Sequence, residues 1–209
     1  EITGVSITSG GSSYTSDPSV TIVGGPHFVK NTTEGSANYG RYFLISSNTQ
    51  SSLSLDYSRL ASGESTSASS YFAVGDTVEV VPAPTLGSVF GRDPSDLPSN
   101  WSYGLPQASD WVYFLNHEYN AYIPYFFLGT SYESAGYRRG WWMEHNIHAG
   151  VQTNQVLYPD EAFIIAKRTS GNVTFEFAGT LQTSDQKMLL PAGDKRILMN
   201  NPYGTDLLL

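Results

Sequence analysis

GDTVEVVPAPTLGSVFG, residues 75–91, holds both kinds of local structure this chain can make. Its first half sets Val78 and Val80 against Thr77 and Glu79, the period of two that gives a strand unlike faces. Its second half favours a helix only briefly. Thr85 is placed to cap a turn or two, and Gly91 ends it. The same balance holds along the whole chain. Period-two signals recur from end to end, the clearest strands are expected at 5–8, 19–23, 41–46, 52–57, 77–81, 111–115, 122–127, 162–167, 172–178 and 196–199, and no window of eleven residues carries an apolar face at helical spacing. The expectation is an all-β fold, either an antiparallel β-sandwich or two β-lobes, with one short helix near 85–90.

Turn chemistry separates these segments at Gly24-Gly25-Pro26, Gly75-Asp76, Ser170-Gly171-Asn172 and Ala192-Gly193-Asp194. Residues 169–172 read as the turn of a hairpin. Val173, Phe175 and Phe177 alternate with Thr174 and Glu176, a strand with one dry face and one wet one. FIIA at 163–166 and YIPYFF at 122–127 are apolar on both faces, which calls for a central place or a second covering layer. Pro124 cannot donate to a ladder and marks an edge or a bulge. The Ser/Gly/Thr-rich stretch 58–70 and the Pro-rich stretch 92–107 read as loops. The expected organisation is an N-terminal strand arm at 1–25, a first β-lobe at 26–91, a connecting loop at 92–107 and an aromatic-rich second lobe at 108–209, the two lobes forming separate domains or one.

Nineteen acidic against eleven basic residues give a net charge of -8, scattered without a block of like sign. That distribution argues against nucleic acid, which needs a clustered basic stripe. No cysteine is present, so disulfides, thiolate metal sites and a Cys nucleophile are excluded. No run approaches the roughly 20 apolar residues of a membrane span. The first residue is Glu1, so the sequence is processed, trimmed or incompletely known, and the expectation is removal of a secretion signal. Few Lys beside abundant Ser, Thr, Gly, Tyr and Asn match the composition of secreted bacterial surface proteins.

Chemistry-bearing clusters are sparse. In WWMEHNIH at 141–148, His145 and His148 would share a face if the segment were helical and, with Glu144 adjacent, could hold a divalent metal. In a strand they would not, and the β signals around them favour ordinary hydrogen-bonded histidines over a metal site. No G-x-S-x-G elbow supports a serine hydrolase. Asp110, Glu118, Glu133, Glu144, Asp160 and Glu161 could supply a glycosidase pair, but nothing in the sequence pairs them; Asp160-Glu161 after Pro159 reads as a turn into FIIA. Trp101, Trp111, Trp141, Trp142 and fourteen tyrosines could form a platform for sugar rings, or simply fill core and interface. Asn31, Asn100 and Asn172 head Asn-x-Ser/Thr sequons, which in a bacterial chain arise readily by chance. No cofactor-binding pattern occurs.

His27-Phe28-Val29-Lys30, Gly40-Arg41-Tyr42, Ser52-Leu53-Ser54-Leu55-Asp56, the run 74–91, Ser109-Asp110-Trp111-Val112-Tyr113, Tyr158-Pro159-Asp160-Glu161-Ala162-Phe163 and Asn200-Asn201-Pro202-Tyr203 together resemble an uncharacterised family of secreted β-rich proteins from Verrucomicrobia and their relatives. The resemblance spans roughly 27–205, and GDxxEVVPAxTLGxxFG is its most specific part. It implies export and a β-rich fold, and it brings no catalytic residues. GGSSYTSDPSVTI at 10–22 is similar to a segment of bacterial surface and phage-fibre proteins.

These readings converge on a non-enzymatic, secreted structural subunit, extracellular or on the cell surface, with no catalytic and no cofactor-binding residues. The strands holding Val5 and Ile7, then Val20 and Ile22, flank a Gly/Ser linker and can complete their own sheet or pair with a neighbour's edge. Exchange with a neighbour is head-to-tail, and such contacts build filaments or layers when they do not close. The apolar Leu207, Leu208 and Leu209 belong to the same expected interaction set. The expected partner is therefore a second copy of the chain, in a homopolymer. The competing expectation is a monomeric adhesin or carbohydrate-binding module with glycans as partners.

Overall fold

The computed structural model describes residues 24–49, 51–116, 121–130, 137–144, 146–168 and 170–175. The fold is all-β: two antiparallel four-stranded sheets and one short α-helix. By their packing the described residues form two compact units, 24–83 and 84–175. The seam falls at Ala83–Pro84, inside the stretch 75–91, so its strand and its helix belong to different units.

The first unit holds β1 (His27–Asn31), β2 (Tyr42–Asn48), β3 (Leu53–Leu55) and β4 (Val78–Pro82) in the order β3-β2-β1-β4. Central β1 sets Val29 opposite Phe43 on one side and Val80 on the other. Those side chains and Tyr71 form the core, with Ile45, Leu55, Tyr57 and Phe72 packed around it. The sequence shows no alternation across HFVKN because its polar residues are inside: Lys30 is 5 % exposed and Asn31 0 %. Asn31 is fully used there. Its Nδ2 donates to the Tyr71 carbonyl at 3.0 Å and to Asp76 Oδ2 at 2.8 Å, and its Oδ1 accepts from the Thr33 N–H at 2.9 Å. Burial is tolerated because every polar atom has a partner. The loop 58–70 is tied down by Glu64, whose carboxylate accepts from Arg41 Nη2 at 2.9 and 3.1 Å.

The second unit holds α1 (Leu86–Phe90), β5 (Trp111–Asn116), β6 (Ala121–Leu128), β7 (Gly140–Met143) and β8 (Ile164–Ala166), with sheet order β7-β6-β5-β8. α1 begins with a capping box: Thr85 Oγ1 accepts the Ser88 N–H at 3.1 Å, and Ser88 Oγ accepts the Thr85 N–H at 2.7 Å. It ends at Gly91, whose φ of 110° suits glycine. A Cβ there would lie 2.7 Å from the Asp96 carbonyl carbon. Leu86 and Phe90 enter a core with Trp101, Val112, Tyr125, Phe127 and Trp141. The stretch 92–107 packs within this unit, through Trp101 in that core and the Gly104 N–H donating to the Phe127 carbonyl at 2.9 Å.

YIPYFF is central, as its two apolar faces require, whereas FIIA supplies β8, which is the outer strand of this sheet among the described residues, with Ile164 42 % exposed. Pro124 sits in central β6 without a bulge, opposite Tyr113. Its carbonyl accepts the Glu144 N–H at 3.1 Å, so the side of Pro124 that lacks a donor faces β7 just past its last residue, Met143. Among the described residues no ladder joins β8 to 170–175; Thr174 instead forms a bridge with Ser99. The expected strands at 5–8, 19–23 and 196–199 lie outside the described residues.

Candidate functional site

The tryptophans divide by depth. Trp141 is 0 % and Trp101 6 % exposed, both in the core, and Trp141 Nε1 donates to the Gly91 carbonyl at 3.0 Å. Trp142, 4 % exposed, lies in a cluster on the opposite face of the sheet with Phe126 and Leu128. Only Trp111 is half-buried. A platform of all four is not formed, since three of them fill the interior.

Alternation along the strands assigns the faces. Val112, Phe114, Tyr125, Phe127 and Trp141 point into the core. The second face carries two cross-strand rows: Trp142, Phe126, Trp111 and Ala166 in one, Glu144, Pro124, Tyr113 and Ile164 in the other. Exposure rises along it, from buried Leu128 to Tyr122 at 47 %. Arg168 lays its guanidinium 4.3 Å from the Trp111 ring centroid, and the Trp111 and Tyr113 rings are 5.6 Å apart. Burial raises the Tyr113 hydroxyl pKa; the Glu144 charge adds to the rise and the Arg168 charge opposes it.

Asp110 fixes this corner. The side chain is fully buried. Oδ2 accepts from Lys167 Nζ at 2.8 Å and from the Ser102 N–H at 2.8 Å, while Oδ1 accepts the Arg168 N–H at 2.7 Å. One carboxylate thus ties the start of β5 to the residues after β8 and holds Arg168 beside Trp111. In the sequence Asp110 was one acid among many, and Arg168 carried no signal beyond following an apolar run.

A cleft of about 410 Å³ opens on the other side of β5, lined by Val89, Phe114, Leu157, Pro159, Ala162 and Phe163 with Tyr158 and Glu161. Its wall is built by 153–157 running along α1: the Gly87 N–H donates to the Thr153 carbonyl at 2.8 Å, the Leu86 N–H to the Gln155 carbonyl at 2.9 Å and the Leu157 N–H to the Pro84 carbonyl at 2.8 Å. The chain then turns at Tyr158, where the Glu161 N–H donates to the Tyr158 carbonyl at 3.0 Å, and enters β8. The cleft therefore continues into an edge strand.

The other sheet edges differ. β4 carries exposed Glu79 and Pro82, both of which discourage pairing. β7 is covered by the next segment, with the Gln152 N–H donating to the Trp141 carbonyl at 2.6 Å. β3 and β8, three residues each, hold neither a charge nor a proline. Of the two, β8 is the one that follows directly on the cleft-lining residues Ala162 and Phe163.

Of the metal candidates, Glu144 is half-buried in the turn after β7, His148 is exposed in a 3-10 turn at Ile147–Ala149, and His145 lies outside the described residues. Among the described residues no three His, Cys, Asp or Glu side chains cluster as a metal site. Val5, Ile7, Val20, Ile22, Leu207, Leu208 and Leu209 lie outside the described residues. Of the sequon asparagines, Asn31 is buried and hydrogen-bonded, which closes it to a glycan in the folded chain, whereas Asn100 and Asn172 are exposed. No helix among the described residues is long and apolar enough to cross a membrane.

Fold and surfaces define an all-β protein of two antiparallel sheets with an apolar cleft beside one edge. Comparison with protein-family models, with curated proteins and with solved structures gives no match.

Proposed function

We propose that the chain is an exported, non-enzymatic structural subunit that adds head to tail into an extracellular filament or surface layer by strand exchange. The observation that carries the reading is the junction of the β8 edge with the apolar cleft. An added strand would hydrogen-bond along β8 and place alternate side chains against Phe114, Phe163 and Leu157. The donor is the N-terminal arm of a neighbouring copy, where Val5 and Ile7, or Val20 and Ile22, recur at the required spacing of two. The resemblance to secreted β-rich proteins supports export.

Removal of residues 1–23 tests it. Native material and the full-length chain should form regular polymers by electron microscopy, and the truncated chain should remain a single particle. Ala162→Trp, which fills the cleft, should also block polymerisation with secondary structure retained. Intact polymers from the truncated chain would refute strand exchange.

A further inference from the structure

We infer that the donor strand is residues 19–23 of a neighbouring copy, an assignment that rests on the strand-exchange reading and names which part of the arm enters the cleft. The acceptor sets the length. β8 with one residue on either side, Phe163 and Lys167, offers five residues before the chain bends at Arg168, and it is the outer strand of its sheet among the described residues. Pro18 and Gly24 bound a segment of the same five residues, of which Val20, Thr21, Ile22 and Val23 are β-branched. The alternative segment 5–8 is one residue shorter and follows Gly4.

The two faces of the acceptor select the same segment. On the core side Phe163 and Ile165 pack against the cluster of Phe90, Val112 and Trp141, and Phe163 also lines the cleft beside Phe114 and Leu157. On the other side Ile164 is 42 % exposed. A matching donor has two apolar residues spaced by two for the cleft and a third of opposite parity within diagonal reach of Ile164. Residues 19–23 place Val20 and Ile22 on one face and Val23 on the other. Residues 5–8 place Val5 and Ile7 on one face and only Ser6 and Thr8 on the other.

The tether agrees. Gly24, Gly25 and Pro26 alone separate Val23 from β1, and this stretch is held to the first unit: the Pro26 carbonyl accepts the Ala83 N–H at 2.8 Å, and His27 Nδ1 donates to the Gly25 carbonyl at 2.8 Å. From Val23 to His27 the chain spans at most about 14 Å. A donor at 19–23 therefore leaves little slack between copies, as a regular polymer requires. A donor at 5–8 would hang on a longer connection that includes the flexible run GGSS at 10–13, with a larger ordering cost on assembly.

Full-length chain should be compared by electron microscopy and light scattering with a chain lacking residues 1–15, with Val5→Asp and Ile7→Asp, and with Val20→Asp and Ile22→Asp. Polymers should survive the deletion and the changes at 5 and 7, and those at 20 and 22 should abolish them. A peptide of residues 17–25, DPSVTIVGG, in excess over the full-length chain should block growth, and one of residues 3–9, TGVSITS, should not. Polymers from Val20→Asp and Ile22→Asp, or their loss on removing residues 1–15, would overturn the assignment and leave strand exchange standing. A full-length chain that forms no polymer, or polymers that persist without residues 1–23, would refute strand exchange itself and the assignment with it.

Discussion

Asp110 shows how much one side chain can organise. Its carboxylate meets one ammonium and two backbone N–H groups, and no water reaches it. Asp110→Ala leaves both N–H groups without their acceptor and the Lys167 ammonium with only the Asn100 carbonyl, at 2.6 Å. Because the Lys167 side chain keeps 24 % exposure, the loss should fall toward the lower end of about 3–5 kcal/mol. Urea denaturation measures it, and Lys167→Met should cost less because the N–H groups keep their acceptor. Asp76 gives a pH signature. The Ala73 N–H, then the Asn31 amide and the Thr33 hydroxyl, hold its carboxyl below the ordinary range against the opposing effect of burial. Folding therefore favours the ionised form. This contribution is complete above the unfolded value of about 3.9 and fades as pH falls through the lower folded value. Wild type should lose melting temperature below about pH 4 more steeply than Asp76→Asn, as thermal scans across that range would show.

At the scale of elements, the short helix α1 was legible because its boundaries are chemical: a Thr-x-x-Ser cap at one end and a glycine at the other. Thr85→Ala removes the acceptor of the Ser88 N–H and should cost about 1 kcal/mol in chemical denaturation. β2, β4, β5 and β6 were readable from alternation or from apolar runs of strand length. β1 and β7 were not. In β1 the residues that look solvent-facing, Lys30 and Asn31, are buried, so the pattern misleads. In β7 Trp141 and Trp142 point to opposite faces and both are covered, so no wet position remains to mark a period. Pro124 signals an edge or a bulge because sequence gives no hint of where a neighbouring strand stops. The structure supplies that: β7 ends where Pro124 would need to donate.

For the molecule as a whole, alternating segments such as 77–81 and 172–178, short apolar runs of strand length and the absence of an apolar face at helical spacing were enough for the all-β class. The surfaces were less accessible. Val89, Phe114 and the stretch 157–163 come from separate parts of the second unit, and only the fold brings them around one cleft. The tryptophans were readable either as a platform or as core and interface filler, and three of the four are interior, while half-buried Trp111 lies on the outer face of β5 beside Arg168. The position of the seam also bears on the order of synthesis. All four strands of the first sheet lie between His27 and Pro82, ahead of the first residue of the second unit, Pro84. Its three ladders can therefore form as the chain lengthens, before any strand of the second sheet has been made. Val29 and Phe43 can thus pair across that sheet while the aromatic-rich strands are still to be made.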